Sequence, residues 1–145
     1  MFKHFLIATD GSEVGDKAIA QGLEAAKLYK AKVTIVKVTE MWSALDVAGR
    51  EALSRIENYE KAASDAAASV LAKAKAVADK AGVACETMHV PDQSPAEGIV
   101  KTADAKGCDI IVMGSHGRKG FNRLLLGSQA HNVLNTTSRT VMICR

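Results

Sequence analysis

The feature that most constrains this chain is a repeated change of hydrophobic period, from short β-branched runs to stretches with helical spacing and back. Phe5 to Thr9 is a short apolar run that reaches a turn at Asp10-Gly11. From Glu13 the period lengthens: Val14, Ala18, Ile19, Gly22, Ala25, Ala26 and Tyr29 share one helical face, with Asp10 and Ser12 as candidate N-caps. Lys32 to Val38 alternates and is β-branched, a second strand. Residues 39–60 fit neither period, with Trp42 and Tyr59 as isolated aromatics in a loop or irregular helical lead-in. Residues 62–84 are alanine-rich and predict a helix ending near Gly82. Val83 to Val90 predicts a third strand, stopped by Pro91. Ser94-Pro95 opens another helix, with Glu97 placed as in a capping box and Gly107 closing it. Asp109 to Met113 is nearly all apolar, as a central strand is, and a glycine-rich loop and the segment Phe121 to Leu126 follow. A helix from about Ser128 to Asn135 and a strand over Thr140 to Cys144 complete the chain.

Five strands joined by four helical crossovers predict a parallel sheet covered on both faces, because parallel neighbours need long connections. The expected fold class is therefore α/β, one doubly wound domain over residues 1–145. A chain of this length buries roughly two-thirds of its unfolded surface and needs neither disulfides nor metal to hold a core. Only six residues are aromatic, so the core volume must come from aliphatic side chains and alanine, which suits helices packed closely on a sheet. The net charge is +3 with both signs interspersed, so no basic tract serves a nucleic acid. Cys85, Cys108 and Cys144 form no C-x-x-C pair and read as small buried hydrophobes in a reducing compartment. The N-terminal segment lacks the long apolar region of a signal peptide, and no apolar run approaches a membrane span. The expectation is a cytoplasmic protein with no membrane partner.

In open parallel sheets, ligands bind beyond the carboxyl ends of strands where the strand order reverses. Two strand ends carry polar, flexible chemistry: Ala8 to Ser12 after the first strand, and Gly114 to Gly120 after the fourth. Where those strands are neighbours, both loops line one crevice. Gly114, Gly117 and Gly120 permit tight turns that expose backbone N–H groups, as an anion such as phosphate requires. Gly127-Ser128 opens the last helix, whose free amides and dipole favour an anion, and Arg118 or Lys119 can add charge. The pattern is neither a Walker A loop nor the dinucleotide G-x-G-x-x-G. Turn formation alone is the competing explanation for any one of these glycines.

The spacing G-x-x-G-x9-G-S, from Gly114 through Gly117 to Gly127-Ser128, resembles the nucleotide-binding signature of the universal stress protein family. FLIATDGS, DIIVMGSHGRKG and LLLGSQA resemble that family's landmarks in order, and the resemblance covers Phe2 to Arg145. It implies a Rossmann-like, adenine-nucleotide alpha-hydrolase-like sheet in the order 3-2-1-4-5, with the first and fourth strands side by side. It also implies ATP or another adenine nucleotide as ligand. Ala8, Thr9 and Asp10 match the segment that contacts adenosine, and Val38 the position whose backbone holds the adenine edge. Met113, Gly114, His116 and Gly117 match the loop against ribose and phosphates, and Gly127, Ser128 and Gln129 the phosphate-holding helix start. Gln129 departs from the commonest pattern, in which valine or a small residue follows Gly-Ser, and this bears on which phosphate or metal is preferred. Family members commonly dimerise by pairing their last strands, here Thr140 to Arg145.

The leading functional expectation is a dimeric nucleotide-binding regulator or stress-response protein with a downstream protein partner, and no catalytic residues. The alternative is an ATP-using enzyme on the same fold, a slow hydrolase or nucleotidyl transferase. Against it, Ser115 and His116 are adjacent, a spacing expected to hinder the hydrogen bond of a nucleophile pair, and no orienting acid is evident. A receiver domain would need a phosphoaccepting Asp after the third strand and a Lys after the fifth, where this chain has Val90-Pro91-Asp92 and stops at Arg145. The four histidines form no i, i+4 pair, so no dedicated metal site is expected, with Mg²⁺ a candidate companion of nucleotide phosphates. Trp42 and Met41 are candidates to cover an adenine, or else packing anchors.

Overall fold

The chain alternates strand and helix throughout: β1 (His4–Ala8), α1 (Glu13–Tyr29), β2 (Lys32–Glu40), α2 (Arg50–Ala81), β3 (Cys85–Asp92), α3 (Pro95–Lys106), β4 (Ile110–Gly114), α4 (Ser128–Thr136) and β5 (Thr140–Cys144). This computed structural model describes residues 1–41, 50–92, 94–117 and 125–145, the side chains of 50–52 excepted. The strands form one sheet in the order β3-β2-β1-β4-β5, and every pairing is parallel. The strand order reverses between β1 and β4, which lie side by side with Phe5 opposite Ile110.

The period of two in β1 explains why both faces of the sheet are covered. Phe5 and Ile7 point into a core built with Ile19, Leu23, Leu71 and Ala78, under α1 and α2. Leu6 and Ala8 point into the opposite core, with Ile99, Ala103, Met113 and Val133 from the α3 and α4 side. A strand buried on both faces has no polar alternation, hence the apolar run Phe5 to Ala8 that follows the buried His4. Close helix–sheet packing depends on small residues: a Cβ at Gly22 of α1 would lie 2.7 Å from Ile7 Cδ1.

The local signals at helix ends act as predicted, with two refinements. Ser12, not Asp10, is the N-cap of α1 and accepts from Gly15 N–H at 3.1 Å. Ser94 caps α3, but the capping box is only half made. The Ser94 N–H donates to Asp92 Oδ1 at 3.2 Å, and the Glu97 carboxylate pairs with Lys101. Gly107 closes α3 in the left-handed region at φ +65°.

Several strand boundaries differ from the sequence expectation by one or two residues, such as β2 running on to Glu40 and β3 starting at Cys85, and two differences have a clear physical cause. β3 continues through Pro91 to Asp92, because it is an edge strand with one side unpaired, where proline is tolerated. α2 begins at Arg50, twelve residues before the predicted start at 62. From Leu53 to Lys61 it is largely exposed, with Leu53 in solvent, so this stretch lacks the buried stripe by which helical period is recognised.

Candidate functional site

At the carboxyl end of β1, the ladder runs on past the strand: Thr9 N–H donates to the Val36 carbonyl at 3.0 Å. Gly11 then takes φ +80°, the turn that reverses the chain into α1. Two side chains fold back over this turn. Thr9 Oγ1 accepts from Gly11 N–H at 3.2 Å, and Asp10 Oδ1 accepts from both the N–H and the hydroxyl of Ser12 at 2.9 and 2.5 Å. They can do so because residue 15 has no side chain: a Cβ there would stand 2.7 Å from Thr9 Oγ1 and 3.0 Å from Asp10 Oδ1. Gly15 belongs to the site, and its signal is its place in the first turn of a helix, where glycine has poor propensity.

The segment after β4 meets this loop directly. Ser115 N–H donates to the Cys144 carbonyl at 2.7 Å, and the Ser115 carbonyl accepts from Gly127 N–H at 2.6 Å. The start of α4 is thereby pinned to the end of β4. A Cβ on Gly127 would lie 2.8 Å from the Ser115 oxygen, and one on Gly117 would lie 2.8 Å from Asp10 Oδ2. Glycine at both positions is thus required by close approach of neighbouring backbone and carboxylate, not only by turning. Gly127 is the N-cap of α4 and supplies no side-chain acceptor, so the first amides of this helix stay available at its positive end.

These segments enclose a cavity of about 500 Å³, within the range of small-molecule sites. Ala8, Thr9 and Asp10 line it from β1, Val38 from β2, and Met113, Gly114, His116 and Gly117 from β4 and its loop. Gly127, Ser128 and Gln129 line it from α4, so all eleven residues singled out in the sequence are brought to one space. Sequence reasoning missed other parts of the wall: Lys37, Thr39 and Glu40 of β2, Tyr59 and Ala63 of α2, and Pro95 and Ile99 of α3. Tyr59, an isolated aromatic in a polar stretch, carried a signal, and its hydroxyl reaches the Glu40 carbonyl at 3.4 Å. Val36, Val38, Ile99 and Met113 give an apolar wall, and polar side chains come both from the loops and the start of α4 and from Lys37, Thr39, Glu40 and Tyr59 of β2 and α2. A flat ring against the aliphatic wall and an anion at the loops and helix start fit this lining.

Two site expectations, for the Ser115–His116 pair and for Met41, turn out differently, and Gln129 gains a contact. Ser115 and His116, adjacent in sequence, do hydrogen-bond, Oγ to Nδ1 at 2.9 Å, because the bend after Gly114 turns both side chains toward each other. Ser115 is nevertheless only 4% exposed and does not line the cavity, which leaves its hydroxyl without access to a substrate there. Gln129 directs its side-chain oxygen to Ala96 N–H of α3 at 3.1 Å. Met41 is exposed and is not in the cavity wall. Trp42, Arg118, Lys119, Gly120 and the segment 121–124 lie outside the described residues. Among the described residues no group of three or more His, Cys, Asp or Glu side chains is arranged to hold a metal. No helix among them is long and apolar enough to cross a membrane.

The universal stress protein family profile matches residues 1–145. Universal stress protein YxiE of Bacillus subtilis is 30% identical over 152 residues, covering 100% of each chain. The solved structure of MJ0577, a universal stress protein of Methanocaldococcus jannaschii, superimposes with a TM-score of 0.85 at 26% identity, covering 99% of this chain and 96% of that one. Two more distant structures share the fold. One is a universal stress protein of Archaeoglobus fulgidus in complex with dAMP, with a TM-score of 0.67, 21% identity and coverage of 100% and 98%. The other is a universal stress protein in complex with cAMP, with a TM-score of 0.69, 23% identity and coverage of 98% and 95%.

Proposed function

The chain belongs to the universal stress protein family, and on that premise we propose that its cavity binds an adenine nucleotide, ATP foremost, and that it acts as a dimeric regulatory or stress-response protein. The observation that carries this reading is the convergence of the β1 loop, the β4 loop and the uncapped start of α4 on one cavity at the strand-order reversal. Structural relatives in complex with dAMP and cAMP support an adenine nucleotide as the ligand class.

In this reading Val38 and the apolar walls take the base, and Ala8, Thr9 and Asp10 take the nucleoside. Met113, Gly114, His116 and Gly117 face ribose and phosphates, and Gly127, Ser128 and Gln129 hold the phosphate chain by backbone amides and hydroxyl. The phosphates bring any Mg²⁺ with them, and Asp10 offers the carboxylate between the two loops. Two copies pair through Thr140 to Arg145, and a nucleotide-dependent change in that dimer is read by a further protein. The free cysteines, of which Cys108 and Cys144 are buried, support a cytoplasmic setting. A slow ATP hydrolase or nucleotidyl transferase is the alternative on the same fold; the Ser115–His116 hydrogen bond does not favour it, because Ser115 is buried and outside the cavity wall.

The test starts from purified protein, denatured to release bound nucleotide for absorbance and mass measurement. Thermal unfolding is then followed with adenosine, AMP, ADP, ATP, cyclic AMP and GTP. A ligand at a hundred times its dissociation constant adds about 2.7 kcal/mol of stability. Gly117→Val, which drives its side chain against Asp10, is expected to abolish the ATP shift. An unchanged shift in this variant, or no response to any adenine nucleotide, overturns the reading. ATP turnover at about 1 s⁻¹ or faster supports the enzyme instead.

A further inference from the structure

Two helix N-termini abut the cavity, and a single glutamine joins them. Pro95 and Ile99 of α3 line the same space as Ser128 and Gln129 of α4. The close approach of α3 is possible because residue 98 is glycine: a Cβ there would lie 2.9 Å from Val38 Cγ1. The amino end of α3 is fully occupied. Asp92 accepts from Ser94, Ser94 accepts from Glu97, Pro95 has no N–H, and Ala96 N–H goes to Gln129 Oε1 at 3.1 Å. The amino end of α4, capped by Gly127, has no side-chain acceptor.

The bond to Ala96 decides which way the carboxamide faces. A carboxamide has an acceptor oxygen and a donor NH₂, and a backbone N–H can only be met by the oxygen. Gln129 therefore has its acceptor committed to α3 and its donor left over. Among the described residues no group accepts from Nε2. Ala96 itself is 2% exposed, so its N–H has no ready exchange with water.

We propose that Gln129 sets the cavity's preference among phosphate chains: its carboxamide, oriented by Ala96, donates from Nε2 to a non-bridging oxygen of a di- or triphosphate lying along the first turn of α4. This inference rests on the adenine-nucleotide reading and deepens it. A neutral, directed donor adds to the backbone amides without adding charge, and it acts only where a phosphate extends to reach it. Valine at this position removes both the tie and the donor. Glutamate keeps an oxygen for Ala96 N–H but replaces the donor with an anionic oxygen that repels phosphate.

Gln129→Glu and Gln129→Val therefore separate the two roles. Binding of adenosine, AMP, ADP, ATP and inorganic pyrophosphate is measured by calorimetry, and unliganded unfolding is followed in parallel. Gln129→Glu is expected to unfold like the parent protein, bind adenosine unchanged, and lose about tenfold or more in ADP and ATP affinity. Gln129→Val is expected to lose ADP and ATP affinity too, and also to unfold earlier because a buried donor is stranded. In the ¹⁵N-labelled protein the Gln129 side-chain NH₂ resonance moves with ATP and not with adenosine, a response that a purely structural tie does not give. Unchanged ATP affinity in Gln129→Glu, or equal losses for adenosine and ATP, overturns the proposal. Pyrophosphate binding that depends on Gln129 in a protein that binds no nucleoside supports this proposal and overturns the adenine reading. Binding of adenosine as tight as that of ATP does the reverse, and failure to bind any of these probes overturns both.

Discussion

His4 lies at the end of the sheet opposite the cavity and is 4% exposed. Its ring shows how one residue couples stability to pH. Thr34 Oγ1 has one proton, which it donates to Glu86 Oε1 at 2.8 Å, so it must accept from His4 Nε2–H at 2.8 Å. The neutral ring is thereby held as the Nε2–H tautomer, with Nδ1 buried and without a hydrogen-bond partner among the described residues. Burial pushes the His4 pKa down and Lys32 adds to this, against the Lys106 carbonyl and the Glu86 and Asp109 carboxylates. His89 is also lowered, by burial and then by Lys37. For a histidine whose folded value lies below its unfolded value, the unfolded chain binds more protons between the two. That contribution is complete above the ordinary value of about 6.5 and is lost as pH falls below it toward the folded value. Urea unfolding midpoints are expected to drop between pH 7.5 and 5.5, and the drop is expected to shrink in His4→Gln. A midpoint that is the same at both values contradicts this account. None of the His4 network was legible in the sequence, because Thr34 and Glu86 stand 30 and 52 residues from their partners. Gln129 is a similar case: its departure from the family pattern was visible, but its partner Ala96, 33 residues away, was not.

At the scale of the element, what was legible was whatever a helix states locally. Ser12 and Ser94 precede their helices, Gly107 follows α3, and Pro95 sits in the first turn, all within a few residues of the boundary that each sets. The early turns of α2 were not legible, since Leu53 to Lys61 is largely exposed and gives the core little to bury. That exposed extension is also the part that brings Tyr59 to the cavity, so a boundary error became an omission from the site. The cap of α1 links element and site in another way. Ser12 Oγ accepts from Gly15 N–H while its own hydroxyl and N–H both go to Asp10 Oδ1. Ser12→Ala is expected to cost about 1 kcal/mol of stability, the usual value of an N-cap. It also leaves Asp10 with one hydrogen bond fewer, so nucleotide affinity is expected to fall further than the stability change alone explains. Chemical denaturation and calorimetric titration of the same variant separate the two effects, and a variant as stable as the parent would show that Ser12 does not limit α1.

For the whole molecule, the two loops were legible as ligand-bearing strand ends, and the crevice between them became so only with the strand order that the family resemblance implies: β1 and β4 flank the point where strand order reverses. The same topology leaves two edges, and they are unlike. β3 carries Glu86, His89 and Pro91, polar or ladder-breaking residues that discourage another strand. β5 reads TVMIC, with neither charge nor proline. Cys144 turns its backbone toward β4, as its carbonyl accepts from Ser115 N–H at 2.7 Å. By the two-residue period, Thr140 and Met142 face the same way, and Val141 and Ile143 turn their N–H and C=O groups outward. A second copy paired on that edge about a two-fold axis runs antiparallel, the only arrangement in which one strand is its own partner. Ile143→Pro removes an outward donor without touching the ladder to β4 and is expected to give a monomer of 15.3 kDa by light scattering, against twice that mass expected of the parent if the proposed dimer forms. Ile143→Ala trims the side chain but keeps the N–H, and is expected to remain a dimer. If both variants dimerise, or if the parent is a monomer at micromolar concentration, the β5 edge is not the interface. If both fall apart, the side chain carries the contact and not the backbone pairing.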